Sequence, residues 1–219
     1  MEEAIAPALP YIVGGAAIII SITIHEFSHG LAAYLQGDMT AHQQGRLTLN
    51  PIAHVDLFGT ILLPGMLILS GAPFLIGWAK SVPFNPANLR NQRFGSLLVG
   101  LAGPLSNTIL FLISGFALTF LLPVLGGTNF LISFLAQLVV INVVLAVFNL
   151  IPLPPLDGSK ILFGLLPARF APLSDKLDIY GPYILLALLF IEFSVYPVLG
   201  KLISFALRII SQLFGLSGL

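Results

Sequence analysis

The residues with the clearest chemical meaning form one short cluster, His25-Glu26-Phe27-Ser28-His29. Two histidines four positions apart project from the same face of a helix, where both imidazoles can reach one Zn²⁺ ion at about 2.0–2.1 Å. A glutamate beside them can take a proton from water that zinc has activated. The cluster therefore predicts a zinc hydrolase site, with His25 and His29 as ligands and Glu26 as the general base.

The setting of this cluster argues against a chance pattern. The chain has four histidines, and two of them fall in these five residues. They lie within an apolar stretch, where ionisable side chains are costly and usually serve a function.

A catalytic zinc site needs a third protein ligand and one open position for water. The chain has no cysteine, so a histidine or a carboxylate must fill that role. Asp157 is the best candidate because it ends the proline-rich run NLIPLPPLDG at residues 149–158. The prolines prevent a helix and can aim the carboxylate back at the membrane helices, although such a run also forms ordinary turns. Weaker candidates are Asp38, Asp56 and Glu192.

The composition places these residues in a membrane. Of 219 residues, 57% are hydrophobic and 8% are charged, whereas about a quarter are charged in soluble domains. Several apolar runs reach the roughly 20 residues that cross a bilayer as a helix. With a formal net charge of zero and no basic block, nothing indicates a nucleic-acid partner. The acidic start, Met1-Glu2-Glu3, is untypical of a signal peptide, so we expect the first apolar run to be a retained span.

Hydropathy predicts an all-α polytopic membrane protein, a bundle of about five or six transmembrane or membrane-embedded helices. We expect a single domain over residues 1–219, with a catalytic core at about 9–165 and C-terminal helices at about 181–214. Glu192 lies within the last span, so we expect it to be either protonated or paired, for example with Lys201 or Arg208. The predicted spans cover residues 9–34, 94–122, 130–151 and 181–199, and a shorter amphipathic helix covers residues 200–214.

Lysine and arginine in short loops indicate the orientation. The loops before residue 94 and after residue 151 carry these cations, so both are expected on the cytoplasmic side. Both ends of residues 57–78 are then expected on the cytoplasmic side, so this segment cannot be a simple crossing. It contains the helix breakers Pro64-Gly65, Gly71 and Pro73. We expect a re-entrant hairpin, because non-helical backbone at membrane depth is tolerated only where protein or water surrounds it. The alternative is that this segment spans the membrane and that one loop lies on the side opposite to the one its charges predict.

The alternation in residues 46–50 (RLTLN) predicts a short strand. If that strand has a free edge, an extended substrate could pair with it through backbone hydrogen bonds. His54 follows this segment and is a candidate accessory residue at the metal, with a plain loop histidine as the alternative.

Three segments together resemble the site-2 protease family of intramembrane zinc metalloproteases, in its compact prokaryotic branch without a PDZ domain. They are HEFSHG at residues 25–30, GLAGPLSN at 100–107 and FNLIPLPPLDG at 148–158. The resemblance covers residues 20–165 and implies one zinc ion per chain, bound by His25, His29 and Asp157, with Glu26 as the catalytic base.

The same resemblance gives Asn149 a role in holding substrate or stabilising the oxyanion, for which an amide donor suits. Asn107 is a candidate accessory residue that lines the active-site cavity. The small residues of its segment, Gly100, Gly103 and Ser106, favour close helix packing as their main role.

The expected function is that of an endopeptidase acting on transmembrane protein substrates in or near the bilayer, at the cytoplasmic side of the cell (inner) membrane. A membrane zinc transporter or metal-binding membrane protein is the alternative, but a transporter needs polar residues that continue across the membrane. A protease that trims prenylated termini is a third reading; it would need a glutamate ligand, and Glu192 is the only glutamate placed to serve. The sequence predicts neither the substrate's identity nor the oligomeric state.

Overall fold

The structure, a computed structural model, describes residues 9–71, 77–194 and 196–216. Within these residues the chain forms α-helices and short 3₁₀ or π turns but no strand. The α-helices are α1 (Leu9–Leu35), α2 (Thr40–Gln43), α3 (Leu63–Leu69), α4 (Gln92–Leu125), α5 (Phe130–Asn149), α6 (Asp157–Leu165), α7 (Ala171–Ser194) and α8 (Val198–Leu213).

Four helical stretches are long and apolar enough to cross a membrane, and they confirm the prediction of an α-helical membrane protein. They are α1, α4, α5 and residues 168–194, which contain α7. The fourth differs from the predicted 181–199 span: α7 begins ten residues earlier, because the helix includes the charged residues Asp175, Lys176 and Asp178. It ends at Ser194, and Pro197 precedes α8.

Asparagine side chains begin the two central helices. The Asn91 side chain accepts a hydrogen bond from the N–H of Phe94 at the start of α4, and Asn129 accepts one from Leu131 at the start of α5. Such contacts satisfy N–H groups that the first helical turn leaves without a partner. Helices α1, α4 and α5 pack on one another, and α6 lies against α4. The end of the proline-rich run is therefore held against the bundle.

The two ends of the segment 57–78 meet, as its described residues show. A π turn, Leu57–Leu62, leads directly into α3, so Pro64 and Gly65 lie in the first turn of a helix and do not break it, contrary to the sequence expectation. On the far side of the segment, the N–H of Trp78 donates to the carbonyl of Gly59 at 3.1 Å. Pro73 lies outside the described residues. The two ends of this hairpin thus lie side by side.

The predicted strand at residues 46–50 is wrong, because this segment forms bends. Gly45 has a positive φ of 65°, which turns the chain immediately before it. The side chains of Thr48 and Asn50 then accept hydrogen bonds from backbone N–H groups two residues on. Local contacts of this kind compete with strand pairing.

The C-terminal helix α8 packs on one end of the α4–α5 pair. Leu216 and Phe214 contact a buried apolar cluster that includes Leu118, Ile132 and Val139. Glu192 does not pair with Lys201 or Arg208 as expected. Its two carboxylate oxygens accept hydrogen bonds from the N–H groups of Leu199 and Gly200, at 2.8 and 2.7 Å. A carboxylate at this place stabilises the start of α8.

Candidate metal centre

Helix α1 presents its two central histidines on one buried face. His25 and His29 are each 7% exposed, and their Nε2 atoms lie 3.0 Å apart. Asp157, the first residue of α6, is 4% exposed and places Oδ2 at 3.1 Å from both Nε2 atoms. The three predicted zinc ligands therefore lie in one cluster, although His25 and Asp157 are 132 positions apart in the sequence.

The hydrogen bonds of the two histidines fix which ring nitrogen carries the proton. The Nδ1 of His29 lies 2.6 Å from the carbonyl oxygen of Val99, which can only accept. The Nδ1 of His25 lies 2.6 Å from Oδ1 of Asn107. Both Nδ1 atoms are thus donors, and both Nε2 atoms hold lone pairs in the neutral rings. This tautomer is the one that metal-binding histidines adopt when a neighbouring acceptor orients them.

Three electron-pair donors consequently face one another at the cluster. Two neutral Nε2 atoms and one carboxylate oxygen, about 3 Å apart, repel each other unless a cation lies among them. Tetrahedral zinc with ligands at about 2.0 Å requires ligand atoms roughly 3.3 Å apart, close to the observed spacing. The donor set of two imidazoles and one carboxylate fits zinc and leaves a fourth position for water or substrate.

Asn107 belongs to a buried polar network that joins α1, α4 and α5. Its Nδ2 donates to Oδ1 of Asn142 at 2.7 Å, and Nδ2 of Asn142 donates to the Ser21 hydroxyl at 2.8 Å. All three residues are 0% exposed. These bonds set the orientation of the Asn107 amide, so that its oxygen faces His25. Asn107 thus contacts His25 of the cluster directly through its amide oxygen.

Two glycines of α4 let that helix lie directly against the cluster. A Cβ atom at Gly103 would lie 2.5 Å from Nε2 of His29 and 2.6 Å from Nε2 of His25. A Cβ atom at Gly100 would lie 2.8 Å from Cβ of Lys160 and 3.1 Å from the carbonyl oxygen of Asp157. The expected close packing of this segment is present, and here it forms the wall of the metal centre.

Asp157 is held by the groups around it as well as by its place in the chain. A Cβ atom at Gly158 would collide with the carbonyl oxygens of Leu150 and Ile151, so the proline-rich run lies directly on the start of α6. Lys160 donates to Oδ1 of Asp157 at 2.8 Å, while Oδ2 faces the histidines. The lysine leaves one oxygen of the carboxylate free for the metal.

The weaker candidates for the third ligand are engaged elsewhere. Asp38 accepts hydrogen bonds from the backbone N–H of Asn85 and the side chain of Asn88. Asp56 accepts one from the N–H of Gly59, and Glu192 caps α8. Because Glu192 caps α8, it is not available as the glutamate ligand that a protease trimming prenylated termini would need.

Glu26 projects beside the cluster and is half-buried. Its Oε2 accepts a hydrogen bond of 2.8 Å from the N–H of Val82, in the segment that follows the hairpin. Its Oε1 has no hydrogen-bond partner among the described residues. One oxygen of the predicted base is therefore fixed and the other is available to accept a proton.

Asn149 and His54 form their hydrogen bonds with groups outside the histidine cluster. Asn149 is the last residue of α5, and its Nδ2 donates to the carbonyl of Leu145 at 3.0 Å. His54 is 3% exposed, and its Nε2 donates to the carbonyl of Thr48 at 2.9 Å. It is therefore a buried histidine in a turn that packs on α1, not a surface loop residue.

Sequence reasoning missed several residues that support the site, chiefly Asn142, Lys160, Val82 and Arg46. Asn142 had a signal: it is a lone amide in an apolar span, where polar groups must find partners. No sequence signal could have identified Val82, because it contributes a backbone N–H, which every residue except proline has.

Comparison with known proteins places the chain in a family. The model of Peptidase family M50 matches residues 126–192, which include Asp157. The chain is 38% identical over 216 residues to "Putative zinc metalloprotease YwhC" of Bacillus subtilis strain 168, covering 94% of this chain and 93% of that protein. It is 33% identical over 162 residues to a protein of the same description, Rip2 of Mycolicibacterium smegmatis, covering 74% of this chain and 58% of Rip2. No solved structure matches the chain. The chain therefore belongs to peptidase family M50, the site-2 protease family of zinc metalloproteases.

Proposed function

We propose that this enzyme hydrolyses peptide bonds of transmembrane protein substrates in or near the bilayer, with one zinc ion bound by His25, His29 and Asp157. The observation that carries the proposal is the convergence of three buried electron-pair donors beside a carboxylate with one free oxygen. When bound, zinc activates water and polarises the carbonyl of the substrate. A single domain over residues 1–219, with its catalytic core at about 9–165, carries this activity.

Glu26 acts as the general base and then as the general acid. Its free Oε1 accepts the proton of the attacking water, and the same carboxyl group returns a proton to the leaving amine.

Asn149 holds the substrate or stabilises the oxyanion. It has a second N–H on Nδ2 beyond the one donated to Leu145. The next residue, Leu150, contacts Gly158, which adjoins the ligand Asp157. An amide near the metal can donate to the oxygen that gains charge in the transition state, an interaction worth about 3–4 kcal/mol in favourable cases. His54 stays a candidate accessory residue: its Nε2 donates to Thr48, while its buried Nδ1 has no hydrogen-bond partner among the described residues.

The site faces the cytoplasmic side of the cell membrane. The cations in the loops before α4 and after α5 support this orientation by the positive-inside tendency. The hairpin at residues 57–78 then enters the membrane and returns on the same side. Its exposed apolar side chains, such as Phe58, Met66 and Leu69, favour contact with lipid or with another helix.

The test compares one variant with the wild type in the detergent-purified or reconstituted protein, with bound zinc and cleavage of a membrane-spanning reporter as readouts. Glu26→Gln should keep its zinc and lose cleavage by at least about 100-fold. The wild-type protein should lose cleavage on chelation and regain it with zinc. Full cleavage by Glu26→Gln would overturn the mechanism, and undiminished cleavage after zinc removal would overturn the function.

A further inference from the structure

The backbone that follows the hairpin lies across the catalytic base. We define residues 79–84 as the strap, a non-helical segment between the hairpin and the turn before α4. At its centre the N–H of Val82 donates to Oε2 of Glu26 at 2.8 Å. Val82 is 6% exposed, so this contact is shielded from water on the Val82 side. A hydrogen bond to a charged acceptor under these conditions is among the stronger ones.

The strap is anchored on both sides of Val82. Arg46, which is 8% exposed, donates through Nη2 to the carbonyl oxygen of Lys80 at 2.6 Å and to that of Ser81 at 3.3 Å. The N–H of Lys80 donates to the carbonyl of His54 at 2.9 Å. Farther along, the N–H of Asn85 donates to Asp38 at 2.7 Å. Burying a guanidinium group is costly unless it forms hydrogen bonds. Here its hydrogen bonds to two carbonyl groups fix the residues immediately before Val82.

The side chain of Val82 is seated on α1 one turn beyond Glu26. A Cβ atom at Gly30 would lie 3.0 Å from Cγ1 of Val82 and 3.2 Å from Cδ1 of Leu47. Gly30 thus allows the strap to approach the helix that carries the base. The contact with Gly30 and the hydrogen bonds on both sides of Val82 together hold its N–H pointing toward Glu26.

We propose that the main-chain N–H of Val82 positions Glu26 for proton transfer, and that Arg46 acts as a positioning residue by holding the strap. The N–H fixes Oε2 and leaves Oε1 free for water. Without it the carboxylate can rotate about its last bonds, and misplacement of a catalytic group by about 1 Å can cost up to about 100-fold in rate. This inference rests on the proposed function of Glu26 and concerns what orients it.

Proline and alanine at position 82 separate the N–H from the side chain. Val82→Pro removes the donor, and Val82→Ala keeps the donor but removes the contact with Gly30. We expect Val82→Pro to retain zinc and the KM of the wild type while its kcat falls at least about fivefold below that of Val82→Ala. A smaller loss in the zinc-loaded protein overturns the proposal. So does a rise in KM with unchanged kcat, which would make the strap a substrate-binding element.

If Val82→Pro loses zinc or fails to fold, Arg46→Met decides, with Arg90→Met as the matched control at an exposed arginine. A kcat at least about fivefold below that of the control, with zinc retained, supports the proposal, and equal kcat values overturn it. Hydrogen exchange reads the contact without any activity. The Val82 amide should exchange at least about tenfold faster in Glu26→Ala than in the wild type, and an unchanged rate overturns the contact. Failure of wild-type cleavage would instead count against the function itself.

Discussion

Asn142 fixes the orientation of Asn107 although it touches neither histidine of the metal centre. Its Oδ1 accepts the hydrogen bond of 2.7 Å from Nδ2 of Asn107, so the opposite end of the Asn107 amide, Oδ1, faces Nδ1 of His25. A single amide on α5 therefore favours one tautomer of His25 on α1 through a residue on α4.

Asn142→Leu should lower zinc affinity by about tenfold, since partners of this kind are typically worth 10- to 100-fold in affinity. The leucine removes the acceptor that orients Asn107, whose amide can then turn its NH₂ group toward His25. The measurement is competition for zinc against a chelator of known affinity. Gln137→Leu, a half-buried position on the same helix, is the control and should bind zinc as the wild type does. Equal affinities for the two variants would contradict the role of Asn142.

Asp157→Ala should lose zinc and cleavage together, because two imidazoles alone hold zinc weakly and leave the site one ligand short. The expected fall in affinity is at least about 100-fold. Lys160→Met provides the comparison, since it removes the partner of Oδ1 but keeps the ligand atom Oδ2, and should lose about tenfold. Zinc content measured by metal analysis after dialysis checks both. Retention of zinc by Asp157→Ala would show that another group is the third ligand.

Gly103→Ala should impair zinc binding without removing any ligand. The added Cβ atom would lie within 2.6 Å of both ligand nitrogens and force the rings or α4 to move. The control is Gly15→Ala in α1, where no atom lies within 4 Å of the added Cβ. We expect at least a tenfold loss of zinc affinity for the first variant and none for the second. An unaffected Gly103→Ala protein would mean that α4 does not form the wall of the site.

Asp38 should make stability depend on pH at the acidic end. Burial favours its neutral form, but hydrogen bonds from Thr40, Asn88 and the Asn85 backbone outweigh burial and hold the pKa of Asp38 below its usual range. A lowered pKa in the folded state gives stability that is present above the unfolded-state pKa, about 3.9, and is lost as pH falls toward the lower folded value.

Asp38→Asn should therefore lower the free energy of unfolding by about 1–3 kcal/mol at neutral pH and weaken the loss of stability below about pH 4. Thermal unfolding followed from pH 3 to 7 measures both effects. Asp175→Asn, at an exposed position, should leave the free energy of unfolding at neutral pH within about 0.5 kcal/mol of the wild type. Parallel pH profiles for the wild type and Asp38→Asn would contradict the assignment.

The parts of this protein that could be predicted from sequence are those that local rules determine. The four-residue spacing of His25 and His29 determines that they share a helix face, and span lengths follow from the thickness of a bilayer. Asp157 could be named because few ligands were available and prolines end the helix before it. Residues 46–50 alternate like a strand, yet Gly45 and the side chain of Thr48 turn them away from that conformation.

The parts that escaped prediction depend on contacts between distant segments. Asn107 was expected near the site, but its bond to Asn142 depends on how α4 and α5 pack. Glu192 was expected to meet a cation, and the backbone of α8 supplied the donors instead. The contact of Glu26 with Val82 joins a side chain to a main-chain N–H 56 residues away, which no residue pattern encodes.

The contact between Gly59 and Trp78 connects residues 57–78 to the segment that holds Glu26. The indole of Trp78 lies directly on the bare backbone of Gly59, and Thr60 donates to the Trp78 carbonyl at 2.8 Å, so the two limbs are fastened at this level. Four residues later the same limb delivers the N–H of Val82 to Glu26. Because only four residues separate Trp78 from Val82, we expect any shift of the two fastened limbs to shift the N–H that holds the predicted base, Glu26.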